Sequence, residues 1–190
     1  MIEQTLVLFK PDAVQRGISG EIITRFERVG LKIVALKMLF ATKEQLEDHY
    51  FKDDVWLIEK GKSIIKNKGY PESYDPKKAG SEIVIGLVND MMLSPIIAMV
   101  LEGHNAVAVV RKLVGPTNVE QALPGTIRGD YSHDTYGLAN VSDRPIITII
   151  HASGDLTDAK KEVGIWFTKD EIHSYERTDT KLHYRKGSLK

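Results

Sequence analysis

Apolar residues along the chain follow two rhythms. Compact β-branched or aromatic runs occupy residues 5–9 (TLVLF), 31–40 (LKIVALKMLF), 95–103 (PIIAMVLEG) and 145–150 (PIITII), and each reads as a strand. Between them, apolar positions recur at helical spacing. Residues 18–29 carry Ile22, Ile23, Phe26 and Val29, with Ser19 or Gly20 at the start and Gly30 at the end. Thr42 opens a helix reaching His49 and Tyr50, with Gln45 placed for a capping box. Residues 55–65, 82–92, 105–114 and 155–167 complete the predicted helices, while residues 69–80 (GYPESYDPKKAG), with two prolines, read as a loop. Residues 122–143 are polar and aperiodic, a length of loop often kept for function. The tail beyond Lys169 is charged and is expected to wrap the surface. The order β-α-β-α-α-β-α-β-α predicts an α/β (α+β) ferredoxin-like sandwich, a four-stranded antiparallel sheet with covering helices.

Composition narrows the function. The 26 basic and 26 acidic residues balance, which argues against a nucleic-acid or membrane partner. The chain has no cysteine, which excludes disulfides, thiolate metal sites and cysteine nucleophiles. Its opening, MIEQTLVLFK, lacks a basic n-region, and no apolar stretch has membrane-spanning length, so a cytoplasmic setting is expected.

Candidate chemistry centres on His151, where the last apolar run ends. Ala152, Ser153 and Gly154 leave space beside the imidazole, and Asp155 can cap the following helix. A lone histidine is more often structural than catalytic. Leu156, Ala159, Val163 and Trp166 form a buried stripe with Glu162 at its edge. From spacing alone, Glu162 is as well placed to turn inward and fix one ring N–H as to pair outward with Lys161 or Lys169. Lys10, held extended by Pro11, closes the first strand. Arg111 lies on a helix that ends before Thr117, and Arg128 lies between Gly125 and Gly129. Each cation alone is ordinarily a surface charge. Together with a threonine hydroxyl and a strand-end histidine they suit phosphoryl transfer, whose transition state calls for distributed positive charge. There is no P-loop, no GxGxxG and no HExxH spacing.

The segments TLVLFKPDAVQRGISGEIITRFERVGLKIVALK, HY, MVLEGHNAVAVVRKLVGPTN, PGTIRGDY and IIHASGDLTDAKKEVGIWF, in this order, resemble the nucleoside diphosphate kinase family over about four-fifths of the chain. The resemblance implies a single domain over residues 1–190, with insertions near 51–82 and 131–143. It implies ping-pong transfer of a γ-phosphoryl group between nucleoside tri- and diphosphates, and a homo-oligomer, hexamer or tetramer, built from dimers. It places His151 as the phosphohistidine nucleophile, Glu162 as its orienting carboxylate, Ser153 as the hydroxyl bonded to that carboxylate and Tyr50 beside the ring. Lys10, Arg111, Thr117 and Arg128 fall on phosphate and ribose contacts, and Mg²⁺ is expected on the substrate phosphates without protein ligands. Three positions depart from the family pattern. Thr148 stands where a ribose-binding asparagine is usual, and Ile83, with Leu87 one turn on, stands where an aromatic stacks the base. Tyr70 or Tyr74 could replace that aromatic. Gly154 replaces an acidic residue, with Asp155 one place later. The rival functions are a catalytically weak nucleotide-binding or regulatory protein and, last, an RNA binder on a similar sheet, whose aromatic signature is missing.

Overall fold

The computed structural model describes residues 2–51, 53–71 and 73–184. The elements run β1 (Ile2–Phe9), α1 (Pro11–Gln15), α2 (Ser19–Arg28), β2 (Lys32–Leu39), α3 (Lys43–Tyr50), α4 (Asp54–Lys68), α5 (Pro76–Met91) and β3 (Ile96–His104). They continue with α6 (Ala106–Val114), α7 (Ile127–Tyr131), α8 (Tyr136–Val141), β4 (Ile150–Ala152), α9 (Leu156–Trp166) and α10 (Thr180–His183). The strands form one antiparallel sheet in the order β2-β3-β1-β4. This is the ferredoxin-like arrangement expected from the pattern.

The continuous apolar run of β1 follows from its central place, because both of its faces are covered. Leu6 and Leu8 pack with Leu46 of α3, Val88 and Met91 of α5, and Val163 and Trp166 of α9. Val7 and Phe9 pack on the other face with Ala13 of α1, Phe26 of α2, Val110 of α6 and Ile127 of α7. Side chains alternating along a strand thus feed two separate cores.

Three expectations are corrected. The loop expected over 69–80 ends early, because α5 starts at Pro76. Asp75 caps it by accepting from the Lys77 N–H at 2.9 Å, and a proline at the first helical position gives up only an amide that has no partner there. The aperiodic stretch 122–143 contains α7 and α8, two short helices capped by the hydroxyls of Thr126 and Thr135. The last strand is displaced: residues 145–149 do not pair, and β4 begins at Ile150 and runs through His151 to Ala152. Pro145 has no amide to give, and the Ile147 N–H donates to Asp134 Oδ2 at 2.6 Å instead of to a strand. An apolar run reports burial, and here burial and pairing part company.

The cap expected from Ser19 or Gly20 is not made, since α2 already starts at Ser19 after Ile18 with no side-chain cap, whereas the caps expected at Thr42 and Asp155 form. Thr42 and Gln45 form the capping box, with both bonds at 3.2 Å. Asp155 caps α9 through the amides of Thr157 and Asp158. The chain after α9 lies along β2, with the His173 N–H donating to Val34 O at 2.8 Å and the Tyr175 hydroxyl to Ile33 O at 2.8 Å.

Helices α4 and α5 touch backbone to backbone at two glycines. A Cβ on Gly80 would collide with the Leu57 carbonyl, and one on Gly61 with the Pro76 carbonyl, whereas Gly164 on α9 faces open space. Alanine at Gly80 is therefore expected to cost about 1–3 kcal/mol by overpacking. The same change at Gly164 should stabilise by about 0.5–1 kcal/mol through helix propensity. Urea unfolding of the two variants checks the sign difference, and equal effects would refute the close helix contact.

Candidate active site

A cleft of about 180 Å³ opens where the ends of β1 and β4 meet α3, α5 and α6. Of the residues expected in the site, Lys10, Tyr50, Leu87, Arg111, Thr117, Arg128, Thr148 and His151 line it together. Ser153 and Glu162 lie behind His151, fully buried and 8 % exposed respectively. Ile83, one turn before Leu87 on α5, is half-buried and outside the lining. Tyr70 and Tyr74 pack on each other, with Tyr74 donating to Glu82, and neither lines the cleft. Two larger hollows, of about 330 and 480 Å³, carry no buried cation in their lining.

β4 pairs His151 with Leu8 of β1, which fixes its backbone. Glu162 on α9 turns inward. Its Oε2 lies 3.0 Å from His151 Nε2 and accepts the Ser153 hydroxyl at 2.6 Å. Ser153 is itself fixed, its Oγ accepting the Leu6 amide at 3.2 Å and its own amide donating to Leu6 O at 3.2 Å. A carboxylate can only accept here, so the ring proton belongs on Nε2 and the lone pair on Nδ1. Burial alone would raise the pKa of Glu162, but the hydrogen bond and charge of His151, with the Ser153 bond, hold it below the usual carboxylate range.

The turn before His151 is strained. Ile149 has φ 65°, rare for a β-branched residue, and the Ile150 amide bonds Thr148 O at 2.6 Å across it, closing a three-residue turn. Such strain costs about 1–3 kcal/mol. Arg128, 7 % exposed, grips both sides of the turn: Nε donates to Thr148 O at 3.3 Å and one Nη to Ile150 O at 2.7 Å, while the other reaches Gly115 O at 2.8 Å. Charged hydrogen bonds of about 1.5–3 kcal/mol each can offset the strain. The Lys10 amide donates to Ile149 O at 2.8 Å, and the Ile149 side chain is fully buried.

The charge in the cleft is positive and desolvated. Lys10 is 6 % exposed, and burial lowers its pKa despite the nearby charges of Asp90 and Asp12. Arg128 is pushed down to about 10 by burial and then by Arg111. Buried cations held close together favour an anion between them. Burial, with the charges of Asp90 and Glu162, raises Tyr50, so its phenol stays neutral, and its buried hydroxyl has no hydrogen-bond partner among the described residues. Asp90 and Asp12 are also raised, mainly by burial. Neither was expected from the sequence. Asp12 lay within a recognised segment, whereas nothing in the pattern pointed to Asp90.

His49, His151 and Glu162 offer ligand-type atoms within 4.8 Å of one another. Hydrogen bonds already engage this group, since Nδ1 of His49 accepts from Trp166 at 3.3 Å and Nε2 of His151 is held by Glu162. Its chemistry is that of an oriented imidazole rather than a metal centre.

A basic pocket of phosphate size beside an imidazole with one nitrogen held and the other left to react defines a phosphoryl-transfer site. The family model described as nucleoside diphosphate kinase matches residues 3–56 and 56–172. The nucleoside diphosphate kinase of Pyrobaculum aerophilum is 45 % identical over 181 residues, spanning 90 % of this chain and 98 % of that one. A crystal structure of an NDP kinase from the same organism superposes with a TM-score of 0.86 at 42 % identity, covering 92 % of this chain and 100 % of that one. The Borrelia burgdorferi nucleoside-diphosphate kinase, solved as a transition-state mimic with bound vanadate and ADP, gives a TM-score of 0.78 at 35 % identity, covering 95 % and 96 %. The chain belongs to the nucleoside diphosphate kinase family.

The buried pairing of Glu162 has a consequence for acid stability. A carboxylate whose pKa is lower folded than unfolded stabilises the fold above the unfolded value, and that contribution disappears as pH falls through the folded value. Thermal unfolding between pH 7 and pH 3 should therefore show wild type losing its advantage over Glu162→Gln below about pH 4.3. Parallel curves would contradict the pairing.

Proposed function

We propose that the protein transfers the γ-phosphoryl group of a nucleoside triphosphate to a nucleoside diphosphate by a ping-pong mechanism through phosphorylated His151. The observation that carries this reading is the Glu162–His151 bond at 3.0 Å, which holds Nε2–H and leaves Nδ1 as the nucleophile beside Lys10, Arg111 and Arg128. In the first half-reaction the Nδ1 lone pair forms a bond to the γ-phosphorus. The bond from that phosphorus to the β,γ-bridging oxygen breaks, and the nucleoside diphosphate leaves with the electron pair. A second diphosphate reverses the steps and regenerates neutral His151, so no net proton is needed. Glu162 stabilises the positive charge that develops on the ring.

The cations meet the phosphate oxygens, and Arg128 has N–H groups left after its three carbonyl bonds. Tyr50 supplies a neutral donor beside the ring. Thr117 and Thr148 offer hydroxyls to phosphate or sugar, and Leu87 offers an apolar face to the base, with Ile83 at the rim. An apolar contact without base-edge donors suits an enzyme that accepts several bases. Mg²⁺ is assigned to the nucleotide, where it would neutralise phosphate charge, because the charged residues lining the cleft, besides His151, are the three cations. The vanadate and ADP held by the Borrelia burgdorferi relative are in keeping with such a transition state.

We further assign the chain as one domain whose insertions, near 51–82 and 131–143, touch each other and supply none of the described residues lining the cleft. Lys68 of α4 pairs with Asp143 at 2.9 Å, and Gly86 of α5 lies against Pro145. A homo-oligomer is assigned from the edge strand β2, which leaves Leu36, Met38 and, just beyond it, Phe40 exposed at 48–69 %. Sedimentation at micromolar concentration should give a species heavier than one chain, and a monomer would refute this. No helix among the described residues is long and apolar enough to cross a membrane. The cytoplasm is assigned from the substrates, charged nucleotides retained inside cells.

The transfer is tested with γ-labelled ATP. Wild type should acquire acid-labile, base-stable label and pass it to added GDP or UDP, whereas His151→Ala should take none. Label that persists in the variant would move the nucleophile elsewhere. Nucleotide binding without label would favour a binding protein.

A further inference from the structure

Against the nucleophile lies a second histidine that the transfer reading does not use. His49, in the last turn of α3, is 5 % exposed, and its ring sits 4.5 Å from that of His151 with the planes at 83°. The indole of Trp166, 1 % exposed, donates its Nε1–H to His49 Nδ1 at 3.3 Å. An indole nitrogen can only donate. His49 must therefore show it a lone pair, and its proton belongs on Nε2. A second proton on the ring would set N–H against N–H.

The state of His49 matters because Glu162 is shared territory. Charge on His49 draws on that carboxylate, as charge on His151 does more strongly. Among the described residues, the titratable and charged groups near the two imidazoles include Glu162 from α9, Tyr50 from α3, Asp90 from α5, Lys10 at the end of β1, Arg111 from α6 and Arg128 from α7. Among the described residues, Glu162 is the anion hydrogen-bonded to His151. A cationic His49 would compete for it and would also oppose the positive charge that His151 develops on attack.

We propose that Trp166 and His49 form a positioning pair: the indole holds His49 neutral, with its proton on Nε2, so that His151 has a fixed uncharged ring beside it and undivided use of Glu162. The inference rests on His151 being the nucleophile. His49 and Trp166 do not line the cleft and act through His151.

The test is the pH dependence of kcat and kcat/KM for wild type, Trp166→Phe, His49→Gln and the double variant. Trp166→Phe keeps an aromatic body but lets His49 accept a second proton, so its acid limb should move up by roughly half to one pH unit. In the double variant the limb should return to the wild-type position, with kcat lowered roughly tenfold by looser packing and KM little changed. An unmoved limb in Trp166→Phe, or a shift that persists in the double variant, would overturn the proposal. Long-range proton–nitrogen NMR of wild type gives a reading that does not depend on how the variants fold. His49 should carry its proton on Nε2, and a proton on Nδ1 would overturn the pair. Labelling by ATP separates the two failures. Wild type that takes no label defeats the transfer reading itself, whereas labelled wild type with unmoved limbs defeats only the role of His49.

Discussion

A carboxylate almost out of water has to be matched by donors, and the site is arranged around meeting that demand for Glu162. Its two partners come from β4 and the residue just beyond it: the His151 ring and the Ser153 hydroxyl, 3.0 and 2.6 Å from the same oxygen. Ser153 is locked in turn to the backbone of Leu6, within a stretch of β1 that is fully buried from Thr5 to Phe9. The chain of bonds thus ties the orientation of one imidazole to the hydrophobic core. Burial of β1 on both faces makes this anchor rigid, and the inward turn of Glu162 converts rigidity into a choice of ring nitrogen.

The same economy governs the turn before His151. A β-branched residue at positive φ is held because its side chain is buried and because Arg128 binds the carbonyls on either side of it. Arg128 also faces the cleft, so one guanidinium supports the backbone of His151, the proposed nucleophile, and adds to the positive field. Desolvated cations are a cost in the empty protein, visible in the lowered proton affinity of Lys10 and Arg128. An arriving polyphosphate relieves that cost, which couples substrate binding to the charge arrangement the reaction uses.

Much of this was legible in the sequence, for reasons particular to each element. Residues 5–9 read as a strand because a strand covered on both faces has no polar alternation to hide it. Small residues beside His151 signalled access to its ring. Spacing placed Glu162 at the edge of the buried stripe but could not decide its direction, because the deciding partner, Ser153, lies outside the helix, just past β4. The prolines near residue 76 read as loop punctuation, although Asp75-Pro76 is a helix start. The strand at 145–150 was misplaced because Asp134, Ser132 and Arg128 take the backbone groups a neighbouring strand would have used. Asp90 stayed silent, since a lone acid in a helix carries no pattern, and its closeness to Lys10 is purely tertiary.

The proposed chemistry turns on Glu162 holding the Nε2 proton and leaving Nδ1 to receive the phosphoryl group. Phosphorus–nitrogen coupling in the NMR spectrum of the ¹⁵N-labelled phosphoenzyme reports the bonded nitrogen directly. Coupling from phosphorus to Nδ1 of His151 is expected. Coupling to Nε2, or to a nitrogen of any other residue, would contradict it.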